Sequence, residues 1–337
     1  MTQSRKIVVI WLSIVCFTIF AMVVVGGITR LTNSGLSMVD WRPIMGVIPP
    51  LSQEEWQETF DMYKQFPEYQ QVNRHLDLEG FKRIFYWEYG HRVLGRLIGV
   101  IFFVPFVLLW VAGRIEKPVI PKLLVALVLG GLQGLMGWYM VKSGLVDMPR
   151  VSHYRLAAHL LLALLILGYL FWLILDLLDV RKESVSRRFA LSAKVLLGLV
   201  TLQILYGAFT AGIRAGFGFN TFPKMHDQWV ADAVFMMDPW WINLFESSAT
   251  IQFVHRWLGI RLVAVTVGVW LWAWRRWRGS IHLSAAVLTL ILLAQVVLGI
   301  LTLVYVVPIS LASLHQAVAC LLLLSGIHLV YISRSAE

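Results

Sequence analysis

Seven long apolar stretches leave this chain of 337 residues few ways to fold. Six of them contain no Asp, Glu, Lys or Arg: residues 7–25, 97–113, 123–141, 156–175, 195–213 and 279–333. The seventh, about 250–274, is interrupted only by Arg256 and Arg261. Because a bilayer core of ~30 Å needs about 20 helical residues, the longest stretch is interpreted as two spans hinged near Pro308. The sequence therefore predicts an all-α polytopic membrane protein with eight transmembrane helices.

The composition excludes the other broad classes of protein. Hydrophobic residues make up 58% of the chain and charged residues 14%, and the mean hydropathy is +0.73. Soluble domains have roughly 25% charged residues, and disordered chains combine low hydrophobicity with high net charge. The two cysteines, Cys16 and Cys320, both lie within apolar runs. This placement excludes a disulfide between loops and a zinc site built from cysteines.

The basic residues predict the orientation of the chain in the membrane. The net charge of +10 indicates cytoplasmic loops and not nucleic-acid binding. One side carries Arg5, Lys6, Arg114, Lys117, Arg181, Lys182, Arg187, Arg188, Arg275, Arg276, Arg278 and Arg334. The other side carries the two longest loops, about 28–82 and 212–248. We expect both termini in the cytoplasm, and the first apolar run is too long for a cleaved signal peptide.

An internal repeat divides the chain into two similar halves. The sequence Glu88-Tyr-Gly-His-Arg-Val-Leu-Gly95 matches Gln252-Phe-Val-His-Arg-Trp-Leu-Gly259. A Gln-x-x-x-Gly pattern recurs on the third, seventh and fifth spans, at Gln133/Gly137, Gln295/Gly299 and Gln203/Gly207. Gly26 falls at the matching place on the first span. We predict two pseudo-symmetric four-helix bundles, residues 1–180 and 181–337, although small residues of this kind also serve close helix packing alone.

Four histidines occupy matching places in the two halves and are candidate metal ligands: His91, His159, His255 and His315. Each lies near the outer edge of its span, on the second, fourth, sixth and eighth helices. Two facing imidazoles in a helix bundle are what a six-coordinate haem iron needs. A hydrogen-bonded packing role is the alternative for any single membrane histidine. Zinc is disfavoured because no third and fourth ligands occur at the same depth.

Four arginines close to these histidines are candidate partners for haem propionates: Arg92, Arg96, Arg256 and Arg261. Arginines at a membrane edge also extend toward water without a ligand. The remaining histidines of the spans and their ends, His153, His226 and His282, are expected to be solvated or interfacial. His328 and His282 offer an alternative site for a second, stacked haem.

Glu88 distinguishes the first half from the second. It precedes His91 by three residues and so shares a helix face with it, whereas the matching residue of the second half is Gln252. A carboxylate at the membrane edge is costly and suggests a function as a base or as a stabiliser of positive charge. The alternative is a salt bridge to Arg92.

The first outer loop begins with small and turn-forming residues. The run Gly26-Gly-Ile-Thr-Arg-Leu-Thr-Asn-Ser-Gly-Leu-Ser-Met38 is followed by Trp41-Arg-Pro43. The second half has a similar passage at Ala211–Asn220. We interpret these segments as lids over a pocket mouth, with an ordered outer loop as the alternative.

The chain resembles the haem A synthases, and the resemblance covers essentially its whole length. The segments that carry the resemblance are Gly26–Met38 and Phe81-Lys-Arg-Ile-Phe-Tyr-Trp-Glu-Tyr-Gly-His-Arg-Val-Leu-Gly-Arg96. The resemblance implies an oxidoreductase that converts the methyl group at ring position 8 of haem O to the formyl group of haem A. It implies that His91 and His159 hold the substrate haem and that Glu88 assists the oxidation. It further implies that His255 and His315 hold a haem b.

The resemblance also sets expectations for partners and location. A farnesyltransferase that makes haem O is the expected upstream partner, together with an unidentified electron-transfer partner, membrane lipid and possible self-association. The Gram-positive branch of the family carries a cysteine pair in the first outer loop, which this sequence lacks, so it is similar to the proteobacterial and mitochondrial type. With no Arg- and Ser-rich presequence, a bacterial inner membrane is expected. The alternatives are a di-haem b-type electron carrier and a repeat-built transporter.

Overall fold

A computed structural model of the chain describes residues 1–39, 48–144 and 150–335. In those ranges eight helices are long and apolar enough to cross a membrane. They are α1 (Gln3–Leu31), α3 (Leu78–Val111), α4 (Ile120–Gly144), α5 (His153–Leu177), α6 (Arg187–Gly212), α8 (Ser248–Arg276), α9 (Ser280–Val304) and α10 (Ile309–Ile332). The prediction of an all-α membrane protein with eight spans is confirmed, and the protein is a multi-pass membrane protein.

Capping residues explain where several of these helices begin. Thr2, Asp77, Ser186 and Ser247 each accept a hydrogen bond from the backbone N–H three residues further on. Such side chains satisfy N–H groups that the helix itself leaves unpaired. Pro308 stands immediately before α10, where its missing N–H is harmless and its fixed φ ends the preceding loop. The predicted hinge near Pro308 is therefore where α9 and α10 separate.

The first outer loop contains helical structure that the sequence analysis did not anticipate. It includes α2 (Gln53–Tyr63) and a π-helical turn over Tyr69–Asn73. Ser52 and Glu55 form a reciprocal capping box at the start of α2, an arrangement that fixes the first turn. The predicted lid residues Trp41-Arg-Pro43 lie outside the described residues.

An aromatic cluster joins α2 to the outer end of α3. It consists of Trp56, Phe60, Tyr63, Phe81 and Phe85, all of them buried. The rings of Trp56 and Phe85 meet edge to face with centroids 5.0 Å apart, and those of Tyr63 and Phe81 stack at 5.1 Å. Burial of this much aromatic surface holds the loop against α3, the helix that carries Glu88 and His91.

The hydroxyl of Tyr63 ties the ends of this loop together. It donates to Glu68 Oε2 at 3.0 Å and accepts from Asn73 Nδ2 at 2.7 Å. Burial, with the Glu68 carboxylate close by, raises the pKa of Tyr63 well above its usual range. The phenol is therefore a hydrogen-bond donor at every physiological pH.

Replacement of Tyr63 by phenylalanine is expected to loosen the outer loop without disturbing the membrane helices. Loss of the hydroxyl removes its hydrogen bonds to the buried side chains of Glu68 and Asn73, at a cost of about 1–3 kcal/mol. Limited proteolysis between residues 53 and 77 should accelerate accordingly. Tyr86→Phe is the matched control, because Tyr86 is 49% exposed and its substitution should leave the rate unchanged. Equal cleavage of both variants would contradict the assigned role of the hydroxyl.

The second outer loop and the end of the chain contain short elements. Single 3₁₀ turns cover Ala215–Phe217 and Trp240–Ile242, and α7 covers Asn243–Glu246. Two short strands, β1 (Glu183–Val185) and β2 (Ser333–Ser335), pair in parallel with Glu183 opposite Ser333. This pair joins the segment after α5 to the residues that follow α10. Nothing in the hydropathy pattern indicated it.

Two compact units make up the structure, Thr2–Ile166 and Leu167–Glu337, with Met1 grouped with the second. The first contains α1 to α4 and the part of α5 that bears His159. The second contains α6 to α10 and the remainder of α5. The functional division into residues 1–180 as a substrate-haem half and 181–337 as a haem b half stays a prediction.

Candidate functional site

The first unit contains His91 on α3 and His159 on α5. Each ring packs against a glycine of a neighbouring helix. A methyl group on Gly26 of α1 would lie 3.0 Å from His91 Nε2, and one on Gly137 of α4 would lie 3.0 Å from His159 Cε1. Only glycine leaves room for the ring at these positions, so the backbone of each helix forms a cradle for a histidine.

The second unit repeats this arrangement with His255 of α8 and His315 of α10. A methyl group on Gly207 of α6 would lie 3.2 Å from His255 Cε1. On Gly299 of α9 it would lie 2.9 Å from His315 Cε1. Both contacts are closer than real Cβ atoms normally make. The glycine of the repeated pattern thus has the same function in both units.

The glutamine of the Gln-x-x-x-Gly pattern approaches the same histidines. Gln133 Nε2 donates to the His159 carbonyl at 3.1 Å and lies 3.5 Å from His159 Nε2. Gln203 Nε2 donates to the His255 carbonyl at 3.0 Å and lies 3.1 Å from His255 Nδ1. We call a glycine, together with the residue four positions before it, a histidine seat. Each Gln-x-x-x-Gly pattern, for which the sequence left close helix packing as the alternative, is therefore a seat for one histidine.

The third glutamine seat holds the imidazole of His315 through both its backbone and its side chain. His315 Nδ1 lies 3.1 Å from the backbone carbonyl of Gln295, and His315 Nε2 lies 3.4 Å from Gln295 Nε2. With Nδ1 engaged by a carbonyl acceptor, the proton resides on Nδ1 and Nε2 is the nitrogen that can ligate a metal.

Glu88 is buried and anchors the first outer loop. Its carboxylate accepts from Ser37 Oγ at 2.8 Å and from the Met38 N–H at 2.7 Å, and it forms a salt bridge with Arg92. Arg92 Nη2 also donates to the Met38 carbonyl at 3.0 Å. The salt bridge considered as the alternative is present. Ser37 and Met38 were not predicted as partners of the carboxylate, although both lie in the segment Gly26–Met38 at the start of the first outer loop.

Gln252 and Arg256 make the corresponding anchor in the second unit. Gln252 Nε2 donates to the Ala215 carbonyl at 2.9 Å. Arg256 donates to the carbonyls of Phe219, Thr221 and Lys224. Both units thus hold an outer loop with a residue pair at the same place on the helix. In the first unit Glu88 and Arg92 form an ion pair, whereas in the second unit the cationic Arg256 is paired with the neutral amide of Gln252.

These contacts bear on the four candidate propionate partners. The guanidinium groups of Arg92 and Arg256 already donate to outer-loop carbonyls, so either group would have to share its donors with a carboxylate. Arg96 is partly buried one turn beyond Arg92, and Arg261 is exposed. Pairing of these arginines with propionates stays a prediction.

The surroundings of the four histidines fit a haem in each unit. In the described ranges no group of three or more His, Cys, Asp or Glu side chains is placed to hold a metal ion, but a haem iron needs only two protein ligands. The side-chain oxygens of the three glutamines, and His159 Nδ1, are buried with no hydrogen-bond partner among the described residues. Buried unpaired polar atoms beside cradled imidazoles are typical of a site built around a further group.

Comparison with known proteins identifies the family. The family model of the cytochrome oxidase assembly protein, COX15-CtaA, matches residues 9–327. The chain belongs to this family. A protein of Parvibaculum lavamentivorans named "Heme A synthase" is 47% identical over 327 residues, covering 97% of this chain and 94% of its own. Proteins of the same name from Nitrosospira multiformis and Paramagnetospirillum magneticum are 47% and 48% identical, covering 94% and 95% of this chain and 91% and 92% of their own. The resemblance to haem A synthases of proteobacteria is confirmed.

In this member of the COX15-CtaA family His153, His226, His282 and His328 lie against residues of their own surroundings. His328 Nδ1 lies 3.0 Å from Ser284 Oγ. The ring of His153 packs on Tyr154 at 4.0 Å, and that of His226 packs on Phe219 at 5.0 Å. His282 lines a cavity with two tryptophans and two arginines at the end of α8. A stacked haem between His328 and His282 stays an untested alternative.

Two single glycine-to-alanine variants on α6 test whether a histidine seat is needed for haem binding. Gly207→Ala is expected to push His255 from its position and to lower the haem bound per chain, because the methyl would lie 3.2 Å from the ring. Gly198→Ala on the same helix faces open space and should be neutral or mildly stabilising, by about 0.5–1 kcal/mol. Pyridine haemochrome assay of both purified variants gives the comparison. Full haem content in Gly207→Ala would show that the glycine is not required.

Proposed function

We propose that the protein is a haem A synthase that oxidises the ring methyl of haem O to the formyl group of haem A. Support comes from family membership over residues 9–327 and from curated relatives named "Heme A synthase" that align with nearly the whole chain. The observation that carries the proposal is an asymmetry within a repeated site. Both units seat a histidine pair, but among the described residues only the first unit has a buried carboxylate, Glu88, one turn from a seated imidazole.

In this proposal the first unit binds the substrate and the second unit binds a haem for electron transfer. His91 and His159 hold the iron of the substrate haem, and His255 and His315 hold the iron of a haem b. The haem b supplies one-electron transfer when it is bound. The second unit holds both of its imidazoles in fixed positions, which suits a permanently bound haem, because fixed ligands lose little orientational freedom on binding.

Glu88 supplies the charge for the chemistry at the methyl group. A buried carboxylate stabilises positive charge that develops on a carbon next to the ring, and it can accept the proton that leaves. Ser37, Met38 and Arg92 hold it in place, so that it acts from a fixed position. Gln252 fills the equivalent position in the second unit without a charge.

The location and partners follow from the same proposal. The protein resides in a bacterial inner membrane with both termini in the cytoplasm, as the distribution of basic residues indicates. Its substrate carries a farnesyl chain, so the protein that attaches that chain is the expected upstream partner, and a separate protein exchanges electrons with the haem b. Self-association is compatible with the family and is open to test.

A di-haem electron carrier is the second candidate, and one observation favours it. The Gln252–Arg256 pair anchors its loop much as Glu88 and Arg92 do, so loop anchoring alone accounts for the contacts of Glu88. In that case the protein would bind haem in both units and change neither.

Conversion of supplied haem O separates these functions. The gene is expressed in a host that makes haem O but no haem A, and the pigments of the membranes are extracted and identified by chromatography and mass spectrometry. Appearance of haem A or of the hydroxylated intermediate supports the synthase. Haem O that stays unchanged in membranes containing folded, haem-loaded protein supports the electron carrier.

A further inference from the structure

The four histidine seats differ at one position. Three have a glutamine four residues before the glycine, whereas the seat of His91 has Met22 before Gly26. Met22 takes the place that Gln203 has in the second unit. A methyl group on Gly95 would lie 3.2 Å from Met22 Cε, and a methyl group on Gly259, the matching glycine, would lie 3.2 Å from Gln203 Nε2. The two side chains are therefore equivalent in the repeat.

This difference removes the hydrogen bonds that hold the histidine. Gln203 donates to the His255 carbonyl and contacts its ring nitrogen. The thioether of Met22 has no hydrogen to donate. In the described part of the chain the ring of His91 makes no hydrogen bond, and what positions it is the close approach of Gly26. His91 is thus held by packing, and the other three histidines are held by packing and hydrogen bonds.

We propose that Met22 is a positioning residue that makes His91 a weakly held iron ligand, so that the haem of the first unit exchanges while that of the second unit stays. The inference rests on the proposed function, in which substrate and product are both haems and must enter and leave one site. Groups that orient a ligating histidine from outside the coordination sphere contribute to metal affinity, and their loss typically costs 10–100-fold. A glutamine at position 22 would give the first unit the tight seat of the second.

The test measures how fast haem leaves the full-length, haem-loaded protein for excess apomyoglobin. Met22→Gln is expected to slow the faster phase about tenfold, at the lower end of the range for such contacts. Met22→Leu has a similar volume and no donor, so it should leave the rate as it is. The reciprocal change, Gln203→Met, should quicken the slower phase by a similar factor.

Two results would overturn the inference without touching the proposed function. One is an unchanged fast phase in Met22→Gln while the wild-type protein still makes haem A. The other is the same slowing in Met22→Leu, which would assign the effect to packing. If instead the wild-type protein binds no haem that depends on His91, the proposed function fails and the inference with it. Should Gln203→Met not fold, the two Met22 variants still decide the question.

Discussion

Glu88→Gln is expected to reduce haem A formation by at least about 100-fold while both haems stay bound. General acid–base catalysis by a positioned side chain contributes about 10²–10⁴ in rate, and the substitution removes the charge and the proton acceptor together. The fold should tolerate the change, because Gln252 occupies the same position in the second unit, 3.3 Å from Arg256. The measurement is the rate of haem O conversion by purified protein, normalised to haem content.

Glu79→Gln on the same helix is the matched control for this variant. Glu79 is exposed and pairs only with Lys82 among the described contacts, so its neutralisation should leave the conversion rate within experimental error. Normal haem A formation by a haem-loaded Glu88→Gln protein would show that the carboxylate serves to anchor Ser37 and Met38. The enzyme would then have to act without it.

His315→Ala is expected to remove one haem of two and to stop turnover. The substitution deletes the imidazole that Gln295 and Gly299 seat, and a haem with one remaining protein ligand loses its low-spin spectrum and much of its affinity. Haem per chain should fall by half in the haemochrome assay, with the low-spin signal of the first unit retained. Loss of conversion follows because the second unit no longer passes electrons.

Histidines outside the seats provide the controls for that experiment. His226 packs on Phe219, and His282 lies at the opposite end of its unit's helices from the seated pair. Alanine at either position should leave two haems per chain and an unchanged spectrum. A haem content that falls equally in His315→Ala and His282→Ala would contradict the assignment of ligands.

The sequence predicted the membrane helices because charge-free length is a property of each segment alone. It also predicted which residues occupy equivalent places, since His91 and His255 stand in matching motifs. The ends of the helices were harder to predict from the sequence. α3 begins at Leu78, long before the charge-free stretch starts at residue 97, because its outer turns pack on α2 and not on lipid.

Contacts between distant segments were beyond what the sequence could show. Nothing in the hydropathy pattern connects Glu88 to Ser37 and Met38, or β1 to β2, because these contacts depend on how loops return to helices. The histidine seats were partly visible. The Gln-x-x-x-Gly pattern was recognised in the sequence, but its glycine could equally have served close helix packing. The exception at Met22 becomes visible only when the contacts of the two units are compared.

The central claim is that the first unit carries the substrate haem and the second a haem b. Extraction of pigments from protein purified out of a haem O-producing host tests it directly, with the His91→Ala/His159→Ala double variant beside the wild type. We expect haem B together with haem O, its hydroxylated form or haem A in the wild type, and haem B alone in the double variant. Two haem B per wild-type chain, or haem O or haem A retained by the double variant, would contradict it.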